Sequence, residues 1–191
     1  MLVARRLPSL MTPTDARIAA AVAGDRHALE ALVLDLLPRV RNLVRYLVRG
    51  DQDVEDLAQD ALIAIVRGLP GHRVDDGRFL AWADRVAVRA TFHGLRRSRR
   101  AQAGVDHAAD LAAVPHPGER PDEYTRRRAA ARLLDALPEE QRQVVVLHHV
   151  VDLSMPEIAD ELGVPFETVR SRLRLGMARL RAVHGRAGEA P

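Results

Sequence analysis

The stretch from Ser154 to Leu180 leaves its backbone little choice. Ser154-Met155-Pro156-Glu157 is a capping box, in which a serine oxygen and a glutamate three places on satisfy the free N–H groups of a helix start. A short helix follows, with Ile158, Ala159 and Leu162 as its apolar positions. Gly163 supplies the left-handed conformation that ends it, since glycine has no Cβ to clash there. Val164 packs beneath the turn, and Pro165 begins a second helix that buries Val169, Leu173, Met177 and Leu180. The order Ala159, Gly163, Val169 puts a small residue at a helix crossing, a flexible one at the turn and an apolar anchor beyond it. This spacing predicts a helix-turn-helix. The second helix keeps a free face of Glu167, Arg170, Ser171 and Arg174, spaced i, i+3, i+4 and i+7. In a major groove arginine pairs with guanine, serine serves several bases and glutamate accepts from cytosine. Arg172, Arg179 and Arg181 suit phosphate contacts.

The remaining chain is helical in period almost throughout. Leu29, Leu32, Leu36, Val40, Leu43 and Leu47 form the stripe of one long amphipathic helix that Pro38 interrupts. Gly50 ends it, and Asp51 to Asp53 cap a helix running to about Gly68, with Val54, Leu57, Ala61, Ile65 and Leu69 inward. A loop over 69–77 leads to a third helix from about Arg78 to Arg100, with Phe79, Trp82, Val86 and Leu95 inward. From Ala101 to Tyr124 the period disappears, and Pro115, Pro117 and Pro121 with Gly104 and Gly118 read as a flexible linker. Helix resumes from Arg126 to Ala136 and again at Pro138-Glu139-Glu140, where proline suits a first turn and acids its positive end. No strand pattern and no internal repeat occurs. The expected architecture is all-α: two small helical domains, over 24–100 and 125–186, joined by an acidic linker over 101–124. An extension over 1–23, in which Met11 offers an alternative start, and a tail over 187–191 flank them.

Composition narrows the function. The chain has 191 residues and no cysteine, which excludes disulfides and thiolate metal sites. No apolar run approaches the roughly 18 residues that span a bilayer, and no apolar stretch follows Arg5 and Arg6 as in a secretion signal, so a cytoplasmic protein is expected. Net charge is only +3, but it is distributed in blocks. Five acids and no base lie between Asp51 and Asp60; six arginines and no acid lie between Arg85 and Arg100. The linker carries five acids against one arginine, and Phe166 to Arg186 carries six arginines against one glutamate. Such alternation suits a chain that meets both an anionic polymer and a basic partner surface. Asp53, Asp56 and Asp60 share a helical face with Gln59 beside them, and mutual repulsion there is relieved by a basic partner. A metal-dependent enzyme built on Asp56 and Asp60 lacks a second acidic motif, and His148-His149 diverge by about 100° on a helix. No Gly-rich phosphate loop ending in Lys-Ser/Thr is present. No catalytic residue, metal or cofactor is expected.

Two segments together resemble a known family. Leu137-Pro138-Glu139-Glu140-Gln141-Arg142, through Leu153 to Ala159 and Gly163 to Leu173, resembles the C-terminal domain of the extracytoplasmic-function (ECF) sigma factors of bacterial RNA polymerase. The resemblance implies that this domain reads the −35 promoter element through Phe166, Glu167, Thr168, Arg170, Ser171, Arg172 and Arg174. Asp53-Val54-Glu55-Asp56-Leu57-Ala58-Gln59-Asp60 is similar to the acidic helix that binds the clamp helices of the polymerase's largest subunit, implicating Asp53, Asp56, Leu57, Gln59 and Asp60. Phe79 to Arg97 is similar to the segment around the −10 element, implicating Arg73, Arg78, Arg89, His93, Arg96 and Arg97 in −10 recognition and melting. With few aromatic residues, base capture is assigned to the loop from Gly71 to Arg78. An anti-sigma factor is the controlling partner that the family implies. The sequence departs from the family pattern at Glu167, Leu175 and Gly176, and at Arg89 and His93, where asparagine and aspartate are common. The alternative is a stand-alone helix-turn-helix regulator, which binds duplex DNA without polymerase, often at paired half-sites.

Overall fold

The computed structural model describes residues 15–72, 78–101 and 121–187. Among these residues the elements are α1 (Asp15–Val22), α2 (Arg26–Leu47), α3 (Val54–Gly68), a 3₁₀ turn (Leu69–Gly71), α4 (Phe79–Ala101), α5 (Pro121–Asp135), α6 (Glu139–His149), α7 (Met155–Leu162) and α8 (Phe166–Ala187), with no strand. They form two compact units, one drawn from α1 to α4 and the other chiefly from α5 to α8. The protein is all-α, as its periodicity predicts. Residues 102–120, most of the expected linker, lie outside the described residues; α4 and α5 extend into its two ends.

Along α2, Leu32, Leu36, Val40, Leu43 and Leu47 are buried, matching the stripe seen in the sequence; the first four belong to the first unit. Pro38 sits within the helix without ending it. A proline there leaves the carbonyl of Leu34 without its helical donor, and Leu34 is 66% exposed, so water can serve it. The expected extension over 1–23 contains a helix: α1 buries Ile18 and Ala21, and Arg17 forms an ion pair with Asp35 of α2.

Helices α3 and α4 pack face to face. Val54, Leu57, Ala61 and Ile65 are buried on α3. The inner face of α4 differs from expectation. Phe79 is buried, but Trp82, Val86 and Leu95 are only half-buried, and the deepest positions are Ala83, Asp84, Ala87, Val88, Thr91 and Phe92. The reason is the closeness of the crossing. A Cβ on Gly94 would lie 2.4 Å from Leu57 Cδ2, so a larger residue there would force the buried Leu57 side chain to shift. Small residues line the contact, and Trp82 is left at its edge against the rings of His72 and Phe79, at centroid distances of 4.6 and 5.6 Å.

Asp84 is the charge that sequence patterning missed. Its carboxylate accepts two hydrogen bonds from Arg39 of α2, at 2.7 and 2.5 Å. Burial raises its pKa above the ordinary carboxylate range, against the opposing pull of Arg39. The folded state therefore holds this proton more tightly than the unfolded chain does. Ionisation of Asp84 thus costs stability as pH rises through that raised value. Such a pair orients two helices but adds little net stability.

In the second unit, α6 and α8 cross with Val144, Val145, Val146 and Leu147 inside. Prolines 138 and 165 stand at the N-caps rather than within the helices, their carbonyls accepting the first helical bonds from Arg142 and Val169. Arg142 is 1% exposed; its Nη2 donates to the Leu137 carbonyl at 3.3 Å, and its Nη1 lies 3.6 Å from Asp135 Oδ1.

Removing one partner of the Arg39–Asp84 pair should cost far more than removing both. Asp84→Ala is expected to destabilise the protein by about 3 kcal/mol, while Arg39→Met with Asp84→Leu recovers most of that loss. Urea unfolding of the three proteins measures the difference.

Candidate nucleic-acid interface

The helix-turn-helix forms by the devices its sequence contains. Glu157 Oε2 accepts from Ser154 N at 2.9 Å and from Ser154 Oγ at 2.7 Å, and the reciprocal bond from Glu157 N is longer, 3.5 Å. Gly163 has φ 64°, and the N–H groups of Gly163 and Val164 return to the Ala159 carbonyl. Ile158 on α7 and Val169 on α8 are fully buried, and the two helices pack on each other. Leu173, Met177 and Leu180, expected to be buried, are half-buried, because a unit this small cannot wrap a 22-residue helix. Gly176 is buried instead: a Cβ there would lie 2.9 Å from Val145 Cγ2, so this departure from the family pattern is a close crossing of α8 over α6.

That anchoring aims the opposite side of α8 at solvent. Phe166, Glu167, Arg170, Ser171 and Arg174 are exposed; Thr168 and Arg172 are half-buried. Glu167 and Arg170 form an exposed ion pair at 3.2 Å, which a nucleic acid must reorganise to use either group. Arg179, given to phosphates on sequence grounds, donates from Nη1 to Gln141 Oε1 at 3.0 Å and so braces α8 against α6. Leu175 is 42% exposed beside this face and was absent from the expected contact set. Arg142 is structural: its Nε and Nη1 lack hydrogen-bond partners, and burial lowers its pKa against the pull of Asp135. His148 Nδ1 lies 3.0 Å from the Leu153 carbonyl, and burial, with His148 beside it, lowers the pKa of His149. Among the described residues no group of three or more His, Cys, Asp or Glu could hold a metal.

The first unit carries a second pair of surfaces. On α3, Asp56 and Gln59 are exposed and Asp53 is half-exposed at the N-cap, with no side-chain capping bond. Leu57 does not join them. It is 4% exposed and packs on Gly94, a correction that follows from its position one residue past Asp56, turned inward by about 100°. Asp60 is not an unpaired acid either: its Oδ2 accepts from Arg97 Nη2 at 2.7 Å. The expected acidic and basic faces therefore meet at one ion pair. Glu55 similarly pairs with Arg41 at 2.5 Å. Ile63, 39% exposed, extends the acidic face along α3 and was missed because an isolated isoleucine reads as core. Arg78, just before α4, and Arg89, His93, Arg96 and Arg97 on it are exposed. Arg73, with residues 74–77 of the expected base-capturing loop, lies outside the described residues.

Both units match known sequence families. Residues 32–101 match sigma-70 region 2, and residues 127–180 match sigma-70 region 4. The chain is 33% identical over 168 residues to the ECF RNA polymerase sigma factor SigM of Mycobacterium tuberculosis, covering 88% of this chain and 83% of that protein. It is 30% identical to the RNA polymerase sigma-H factor of Pseudomonas aeruginosa, covering 78% and 82%. Among solved structures it is similar in fold to CnrH in complex with the cytosolic domain of CnrY, with TM-score 0.54, 24% identity and 94% of this chain covered against 100% of that one. It is similar also to RpoE in complex with the anti-sigma factor NepR from Bartonella quintana, with TM-score 0.57, 20% identity and coverage of 82% and 96%.

The capping box holds α7 at the angle that presents α8. Ser154→Ala is expected to lower unfolding stability by about 1 kcal/mol, the usual worth of an N-cap side chain, and denaturant titration followed by circular dichroism measures it.

Proposed function

The chain belongs to the sigma-70 family, within its ECF group, and we propose that its two units work as an adaptor between core polymerase and promoter DNA. Like its relatives it directs promoter-specific transcription initiation by RNA polymerase. The observation that carries the adaptor reading is the solvent-facing row of Arg170, Ser171 and Arg174 on a helix pinned from behind by Val169. In this reading the domain over 125–186 reads the −35 element through Phe166 to Arg174. The domain over 24–100 binds the clamp helices of the largest subunit through Asp53, Asp56, Gln59 and Asp60. Arg78 and the basic side of α4, from Arg89 to Arg97, track the −10 strand as it opens, and the acidic linker leads toward the RNA path. Binding of unpaired bases drives melting, so the protein needs no catalysis or cofactor of its own and works where the polymerase does, in the cytoplasm.

The Asp60–Arg97 pair fits this division of labour. An exposed ion pair contributes little by itself. A basic polymerase surface can therefore take Asp60 and release Arg97 to a phosphate. Two similar structures are complexes with a second protein, one of them an anti-sigma factor. An anti-sigma partner that covers one or both surfaces is the control we infer here. Among the described residues no helix is long and apolar enough to cross a membrane.

Run-off transcription with purified core polymerase on a promoter library tests the reading. Initiation from a defined subset of sequences is expected, and initiation from none would refute it. A stand-alone regulator would instead bind duplex DNA tightly without polymerase. Asp56→Arg places a cation on the exposed acidic face of α3, and core association is expected to fall at least about tenfold while thermal stability is unchanged. Fluorescence anisotropy of the labelled protein with core enzyme measures the first and a melting curve the second.

A further inference from the structure

We propose that Leu175 reads the C5-methyl group of a thymine, making one position of the upstream promoter element specific for an A·T pair. The inference rests on the reading of α8 as the promoter helix and adds a contact to it. Leu175 is one of four large apolar residues that stand exposed among the described residues, and two of the four, Phe166 and Leu175, are on α8. It follows Ser171 by four residues and Arg174 by one, so it flanks the exposed face on the side opposite Arg170. Packing cannot account for it: Val169 and Gly176 carry the contact with α7 and α6 from the other side of the helix.

The surroundings of Leu175 specify what it meets. Arg172, Arg174 and Arg179 lie within four residues of it along the helix, and no acid does. A leucine flanked along its helix by arginines, of which Arg179 is held by Gln141 and Arg174 is exposed, suits a surface that is anionic around an apolar spot. The major groove offers that combination, with phosphates at its rims and the thymine methyl on its floor. The reach is also right. From Glu167 to Leu175 is eight residues, about 12 Å of helix, which matches the roughly 12 Å width of the groove. Leucine has no hydrogen-bonding group, so it cannot select guanine, adenine or cytosine by donor or acceptor pattern. Methyl contact is the one discrimination left to it.

Deoxyuridine in place of thymidine removes that methyl and nothing else. Run-off transcription with core polymerase on the preferred promoter, with each upstream thymidine replaced in turn, is the test. One replacement is expected to reduce wild-type initiation by about fourfold, the effect of one buried methyl. Leu175→Ala should initiate less well on the thymidine promoter and lose sensitivity to that replacement, while Leu175→Met, which keeps an apolar tip, should retain it. Leu175→Arg should shift the preferred pair at that position toward G·C. Indifference of the wild-type protein to every replacement overturns the proposal, as does equal sensitivity in Leu175→Ala. Failure of the wild-type protein to initiate anywhere is a different result, and it removes the promoter reading itself.

Discussion

A helix presents a usable face only if something fixes its opposite side. In the second unit the fixing is done by two side chains that solvent does not reach, Ile158 on α7 and Val169 on α8. Their burial, with the left-handed turn at Gly163 between the two helices, determines the rotation of α8 about its own axis. Glu167, Arg170, Ser171, Arg174 and Leu175 face outward because Val169 faces in. A slip of one residue would rotate the helix by about 100° and bury an arginine in place of the valine. That cost is what makes the presentation unique.

Close approach recurs as the means by which these thin units remain ordered. Gly94 lets α3 and α4 meet over Leu57, and Gly176 lets α8 lie on α6 over Val145. Glycine within a helix costs about 1 kcal/mol relative to alanine. Here the loss is offset by contacts that a methyl group would prevent. Both glycines stand behind surfaces assigned to binding, so tight backing and an outward functional face come from the same crossing.

The arginines separate into two populations that composition alone cannot distinguish. Arg39, Arg142 and Arg179 are held by protein groups: a buried carboxylate, a backbone carbonyl and the amide of Gln141. Arg96 and Arg174 are exposed along helical faces. Arg97 and Arg170 are exposed yet paired, with Asp60 and Glu167, between the two classes. A count of basic residues therefore overstates the charge offered to DNA, and the planar guanidinium makes both uses chemically reasonable.

Local rules were enough to read the helices, the capping box, the turn and the outward row on α8 from the chain, because each depends on residues within one or two turns of one another. They also located the acids of α3. The ordering of charges belonged to tertiary contact. Asp84 meets Arg39 and Asp60 meets Arg97 across 45 and 37 residues, and no periodicity encodes such a partner. Leu57 and Leu175 show the same division. Periodicity put Leu57 inward while the family resemblance gave it to a binding face, and packing against α4 decides for core; Leu175, a departure from the family pattern, is surface. Helical spacing gives the angle between residues, but only the neighbouring helix decides which angle points inward.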